Sequence, residues 1–321
     1  MKKLFTLAIC CSAWFVAVVQ AAPSNYPTHS IRLIAPYPAG GQTDIVARIV
    51  APPLSEALGQ SVVVENKPGG NGLVGHDFVA KAKPDGYTLL AGNSAMLAVT
   101  VSMIKDMPYD PRKDFAPIML VGGGAYVLEV NPKLPVKNLA ELIALAKREP
   151  GKLNFGVGGL GSIPHLLSEQ IQQHAGIKWT NINYKGSGPM LIDLLGGQID
   201  VTVDNVSSSL ESIRAGRLRA IALTDKATLL PDVPTIEAAG LPGIKAYSWH
   251  GILAPAHTPP EVVAKLNEAL RQIVKRPDVV KQLNSLGIDV IGGSPADFSA
   301  HIARENVHWA DIVKSTGAKI E

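Results

Sequence analysis

Residues 31–54 read IRLIAPYPAGGQTDIVARIVAPPL. Ile31 to Ala35 form a compact β-branched and aliphatic run, apolar on both faces, as strands buried in a parallel sheet tend to be. A Pro- and Gly-rich turn follows, and from Ile45 the apolar residues recur at helical spacing. A strand that feeds a helix through a Gly-rich turn is the unit of an open α/β sheet, in which ligands sit at the carboxyl ends of the strands. The turn exposes free backbone N–H groups, and the helix dipole adds positive potential there.

The same design recurs twice. A strand from Leu153 runs into Val157-Gly158-Gly159-Leu160-Gly161-Ser162 and a helix carrying His165, Leu166 and Leu167; a strand from Asn181 runs into Lys185-Gly186-Ser187-Gly188-Pro189 and the helix MLIDLLGG. One helix terminus offers an anion only about 0.3–1 kcal/mol. Several in one cleft, with hydrogen bonds to a charged group at about 1.5–3 kcal/mol each, could hold a small carboxylate. Further β-rich runs begin at Ser61, Gly86, Ile118, Ala125, Ile199, Arg219, Gly251 and Ile288. Between them, Asn138 with Glu141, Thr258 with Glu261 and Ser294 with Asp297 have capping-box spacing. Strands alternating with helices predict an α/β protein with largely parallel sheets.

The chain begins MKKLFTLAICCSAWFVAVVQA. Two lysines, an apolar stretch from Leu4 to Val19, and small residues Val19 and Ala21 before Ala22 have the form of a secretory leader cleaved after Ala21. The apolar stretch is short for a membrane span of roughly 20 residues. Cys10 and Cys11 are the chain's two cysteines, so the exported chain would have no thiol, which excludes cysteine nucleophiles, thiolate metal sites and redox chemistry. Without Lys2 and Lys3 the remaining 28 bases face 27 acids, scattered rather than clustered. That balance argues against nucleic acid, whose binders need a basic stripe.

Sharper motifs point less far. Gly156, Gly158 and Gly161 match the dinucleotide fingerprint, but that site needs an acid about 20 residues on, and the next strand ends in Asn183, Tyr184 and Lys185. Ser162 and His165, three apart at a helix start, suggest an exported hydrolase, yet no G-x-S-x-G elbow accompanies them. His301 and His308 share a helix face without metal-ligand spacing. No metal and no cofactor are expected. Asp204-Asn205 closes an apolar strand with two polar groups, either a turn or the edge of a cleft.

Several stretches together resemble the Bug-type extracytoplasmic solute receptors, the substrate-binding components of tripartite tricarboxylate transporters. They include PYPAGGQTDIVAR from Pro36, KPDGYTLL from Lys83, YKGSGP from Tyr184, LPDVPTIEAAGLPG from Leu230 and WHGILAPAHTP from Trp249. The resemblance implies a periplasmic-binding-protein type II clamshell, two lobes each with a mixed, mostly parallel sheet flanked by helices. One lobe would comprise residues 22–124 and 250–321, the other 125–249, with hinges near Leu120 to Tyr126 and Ala246 to Gly251. It implies a monomer that hands one small organic carboxylate to integral-membrane transporter subunits, or a ligand-sensing receptor with a signalling partner, and no catalytic chemistry. The carboxylate would be held by backbone amides, hydroxyls and water. Tyr37, Ala39, Gly40, Gly41, Thr43 and Asp44 fall on the family's first ligand loop, Asn93 and Ser94 on its second. Gly158, Ser162, His165, Asp204 and Asn205 fall on the middle lobe's pocket positions. Val157 and Val203 stand where the family has Ser and Phe, which suggests a less polar or bulkier acid.

Overall fold

The computed structural model describes residues 25–104 and 106–317; the leader read in residues 1–21, with both cysteines, lies outside them. The strands are β1 (Ile31–Ala35), β2 (Val62–Asn66), β3 (Thr88–Asn93), β4 (Phe115–Val130), β5 (Asn154–Val157), β6 (Thr180–Asn183), β7 (Val201–Asn205), β8 (Arg219–Leu223), β9 (Tyr247–Pro255) and β10 (Asp289–Val290). The helices are α1 (Gln42–Leu58), α2 (Leu73–Ala80), α3 (Leu139–Arg148), α4 (Ile163–Ala175), α5 (Ser187–Gly196), α6 (Val206–Arg214), α7 (Pro260–Ile273), α8 (Pro277–Ser285) and α9 (Pro295–Thr316).

One mixed sheet runs in the order β2-β1-β3-β9-β4-β7-β5-β6, with β8 and β10 also paired to β4. Its outer thirds are parallel, β1 with β2 and β3, and β5 with β6 and β7. Its centre is antiparallel, because β9 runs back between β3 and β4, and β4 runs against β7 and β8. The two runs expected at Ile118 and Ala125 are therefore one strand. The first half of β4 pairs β9 from Phe115–Pro255 to Ala125–Tyr247, and its second half pairs β7 from Tyr126–Asn205 to Val130–Val201. The two lobes of the fold share this strand.

Local signals account for most helix ends. Asn138 accepts from the N–H of Glu141, and Ser294 with Asp297 closes a full capping box. Thr258 does not cap α7. Its hydroxyl donates to the Pro255 carbonyl at 2.8 Å, and the helix starts only at Pro260. Each of these helices buries one apolar face: Val262, Leu266, Leu270 and Ile273 on α7, and Phe298, Ile302, Trp309 and Ile312 on α9. Among the described residues no helix is long and apolar enough to cross a membrane.

Candidate functional site

The Gly-rich turns meet where the two halves of the sheet face each other. Two adjoining compartments form one cleft. The first, about 750 Å³, is lined from one side by Tyr37, Gly41, Gln42, Thr43, Asn93 and Ser94, and from the other by Lys185, Gly186, Ser187 and Asn205. Tyr126, Ser248 and His250 of the central strands complete its wall. The second, about 500 Å³, is lined by Asn71, Met96, Thr100, Gly158 to Ser162 and Tyr184. Tyr37, Ala95, Lys185 and Gly186 border both.

Three helices present their N-termini to the first compartment. Helix α1 starts after Gly41, α5 after Gly186 and α6 after Asn205, and none has a side-chain cap. Their first-turn N–H groups have no intrahelical acceptor, so each terminus keeps its positive end open toward the cavity. Two of these termini belong to turns expected from sequence. The third follows Asn205, which lines the first compartment, with Asp204 one residue before it. The middle turn differs: Ser162 caps α4 by accepting from the His165 N–H at 3.3 Å, and donates to the Gly159 carbonyl at 2.7 Å.

Five of the expected residues line neither compartment. Asp44 is buried and holds the first turn together: it accepts from the Gly40 N–H at 2.9 Å, from Arg48 Nε at 3.0 Å and from Asn66 Nδ2 at 2.7 Å. Burial works to raise its carboxyl, but these bonds outweigh burial and hold it below the usual carboxylate range. The Gly40 amide is thus already engaged, and Gly40 and Ala39 are exposed outside the lining. His165 accepts the Gly161 N–H on Nδ1 at 3.0 Å. Its ring makes no bond to the Ser162 hydroxyl, so the nucleophile–base contact a hydrolase needs is missing. Asp204 is buried one residue behind Asn205 and accepts from Ser187 Oγ at 2.9 Å and from the Asn205 N–H at 2.8 Å, while its Oδ2 has no partner. Burial pushes its carboxyl up to about 6. Val157 and Val203 are fully buried and line neither compartment.

Several wall residues were not singled out from sequence. His250 Nδ1 lies 3.3 Å from Thr43 Oγ1 and its Nε2 3.2 Å from Gln42 Oε1. Burial lowers the ring to about 4, so it is neutral at physiological pH. Gln42 Nε2 in turn reaches Ser207 Oγ at 3.4 Å, across to the start of α6. Lys185 is the only formal cation on the cleft wall and makes no ion pair among the described residues.

Residues 46–318 match the family model described as Tripartite tricarboxylate transporter family receptor. Protein BugT of Bordetella pertussis is 40% identical over 313 residues, covering 97% of this chain and 95% of BugT. A solved structure described as a periplasmic transporter is 40% identical with a TM-score of 0.81, covering 92% of this chain and 100% of that one. Rpa4515 of R. palustris, solved with adipate, is 36% identical with a TM-score of 0.81 and the same two coverages.

Proposed function

We infer, because this chain belongs to the tripartite tricarboxylate transporter receptor family, that it is a periplasmic solute receptor, not an enzyme, and that it traps a small organic carboxylate in the cleft described above. One observation carries the site assignment: three uncapped helix N-termini, from both sides of the cleft, line a single compartment. Rpa4515, of the same fold, holds adipate, which supports an acid as the ligand.

In this reading the carboxylate sits against the first-turn amides of α1, α5 and α6. Thr43, Ser94 and Asn205 supply side-chain hydrogen bonds, Tyr37 and Gly158 border the bound acid, and Asp44, His165 and Asp204 position the turns from behind. The lobes divide at about residues 124 and 249, and β4 and β9 flex between Leu120 and Tyr126 and between Ala246 and Gly251 on closure. The exported monomer, cleaved after Ala21, delivers its ligand to the membrane subunits.

A thermal-shift panel of mono-, di- and tricarboxylates tests the reading. An acid at a hundred times its dissociation constant should add about 2.7 kcal/mol of stability; a melting curve that no organic acid moves sinks it. Gly41→Ile places a branched side chain at the start of α1, where φ is −71° and suits any residue. It should leave folding intact and weaken binding roughly a hundredfold, the loss of two charged hydrogen bonds.

Asp204 gives the binding a pH dependence. An anion beside the Asn205 turn favours the protonated form of this acid, so affinity is expected to fall as pH rises through about 6. Asp204→Asn retains the Oδ1 acceptor and should flatten that dependence, tightening binding severalfold above pH 7. Calorimetric titrations at pH 5.5 and 7.5 decide it; parallel pH profiles for the two proteins would remove Asp204 from the linkage.

A further inference from the structure

We propose that the ligand of this cleft is a monoanion, a single carboxylate on an uncharged apolar body, an inference that rests on the carboxylate-receptor reading above. The two compartments differ in what they leave available. The first holds the three open helix termini, the unpaired Lys185, and Ser94 and Asn205, whose side chains have no hydrogen-bond partner among the described residues.

The hydroxyls of the second compartment are already engaged from within. The Tyr184 hydroxyl donates to Asp193 at 2.7 Å, the Thr100 hydroxyl to the Ala95 carbonyl at 2.7 Å, and the Tyr37 hydroxyl to Asn93 Oδ1 at 3.2 Å. Helix α4 starts beside this compartment but offers an anion little. Its second residue is Pro164, which has no N–H, and Ser162 takes the N–H of its third, His165. The neighbouring Gly161 and Ser162 amides donate to the His165 ring and the Gly159 carbonyl.

A second carboxylate entering there would lose its water and find, beyond the turn amides of Gly158 to Leu160, one side-chain amide, Asn71, and the rim lysine shared with the first compartment. Desolvation of an ion that poorly compensated is strongly unfavourable. An apolar body, by contrast, meets Met96, Ala95, the faces of Tyr37 and Tyr184, and Leu160. Leu160 is 50% exposed at the tip of its turn. Folding gains little from an aliphatic side chain left so open to water, whereas a ligand packed on it would bury it. Charge points the same way: Lys185 is the single formal cation on the wall, one charge for one carboxylate.

The test is isothermal titration of the mature protein with benzoate and cyclohexanecarboxylate as monoacids, and with succinate, adipate and citrate as polyacids. The tightest monoacid is expected to bind at least roughly tenfold more tightly than any polyacid. Leu160→Asn should weaken the monoacid about tenfold, the cost of a lost apolar contact, with the melting temperature of the free protein unchanged. A polyacid that binds tightest overturns the monoanion proposal and leaves the receptor reading standing. If no acid of either kind binds, both fall. Equal affinity of Leu160→Asn and wild type for the tightest monoacid overturns the placement of the apolar body.

Discussion

Gly124→Ala is expected to destabilise the protein by about 2–3 kcal/mol, a drop of roughly 5–10 °C in melting temperature, and to weaken ligand binding as well. Gly124 lies in β4 where the strand leaves its partner β9 for β7. A Cβ built there would lie 2.2 Å from the Gly287 carbonyl oxygen, and one on Gly122 2.5 Å from that of Asp289. These contacts are with backbone, which has no rotamer to yield, so the 286–290 segment must move off the sheet. That segment adjoins the cleft: Gln42, which bonds His250 and Ser207, also reaches the Leu286 carbonyl at 3.5 Å. Displacing it shifts the starts of α1 and α6 relative to each other, and with them the geometry of the anion site. Gly196→Ala is the control, since nothing lies within 4 Å of its added Cβ. Equal melting temperatures for Gly124→Ala and wild type would show that the close approach is absent.

The same glycines explain where the sequence misleads. Val121-Gly122-Gly123-Gly124 reads as the end of one strand and the turn before the next, because Gly runs usually punctuate elements. Here they are small so that a neighbouring segment can cross the sheet, and the strand continues to Val130. No local pattern separates the two cases, since the reason lies about 160 residues away in Gly287 and Asp289. Thr258 is a similar case: its cap spacing is right, but the Pro259-Pro260 pair delays the helix and the hydroxyl finds the Pro255 carbonyl instead.

In the cleft, what a turn contributes was legible and what a central strand contributes was not. Gly41, Gly158 and Gly186 stand out because Gly between a strand and a helix has a local cause. Tyr126, Ser248 and His250 sit in β4 and β9, whose apolar pattern signals burial and hides which positions border a cavity. The sequence also could not tell open amides from engaged ones. The turns at Gly41 and Gly161 read alike, yet one precedes an uncapped helix and the other is tied up by Ser162 and His165. That distinction decides which end of the ligand carries the charge.

Glu129→Gln is expected to stabilise the protein at neutral pH. Glu129 lies fully buried on β4, opposite Thr202 of β7 and Ala220 of β8. It accepts one hydrogen bond from Ser209 Oγ and leaves Oε2 without a partner. Burial pushes its carboxyl up to about 8, with the negative charge of Asp204 adding to the shift and the Ser209 bond opposing it. The folded state therefore holds this proton more tightly than the unfolded chain does, and the contribution of Glu129 to stability falls as pH rises from about 4.5 toward 8. By pH 7 the loss from this one group is about 3 kcal/mol, against less than about 1 kcal/mol at pH 5. Glutamine has the same shape, keeps an acceptor for Ser209 and has no proton to lose, so its advantage should grow across that range instead of staying constant. Urea unfolding of both proteins at pH 5, 6, 7 and 8 measures it. A stability difference that does not change with pH would mean that Glu129 ionises in the folded state as it does in the unfolded chain. Its burial between β7, β8 and α6 would then have to be wrong. Asp204 and His250 remain in both proteins, so the slope that survives in Glu129→Gln combines the other buried groups, Asp204 lowering stability as pH rises and the neutral His250 raising it.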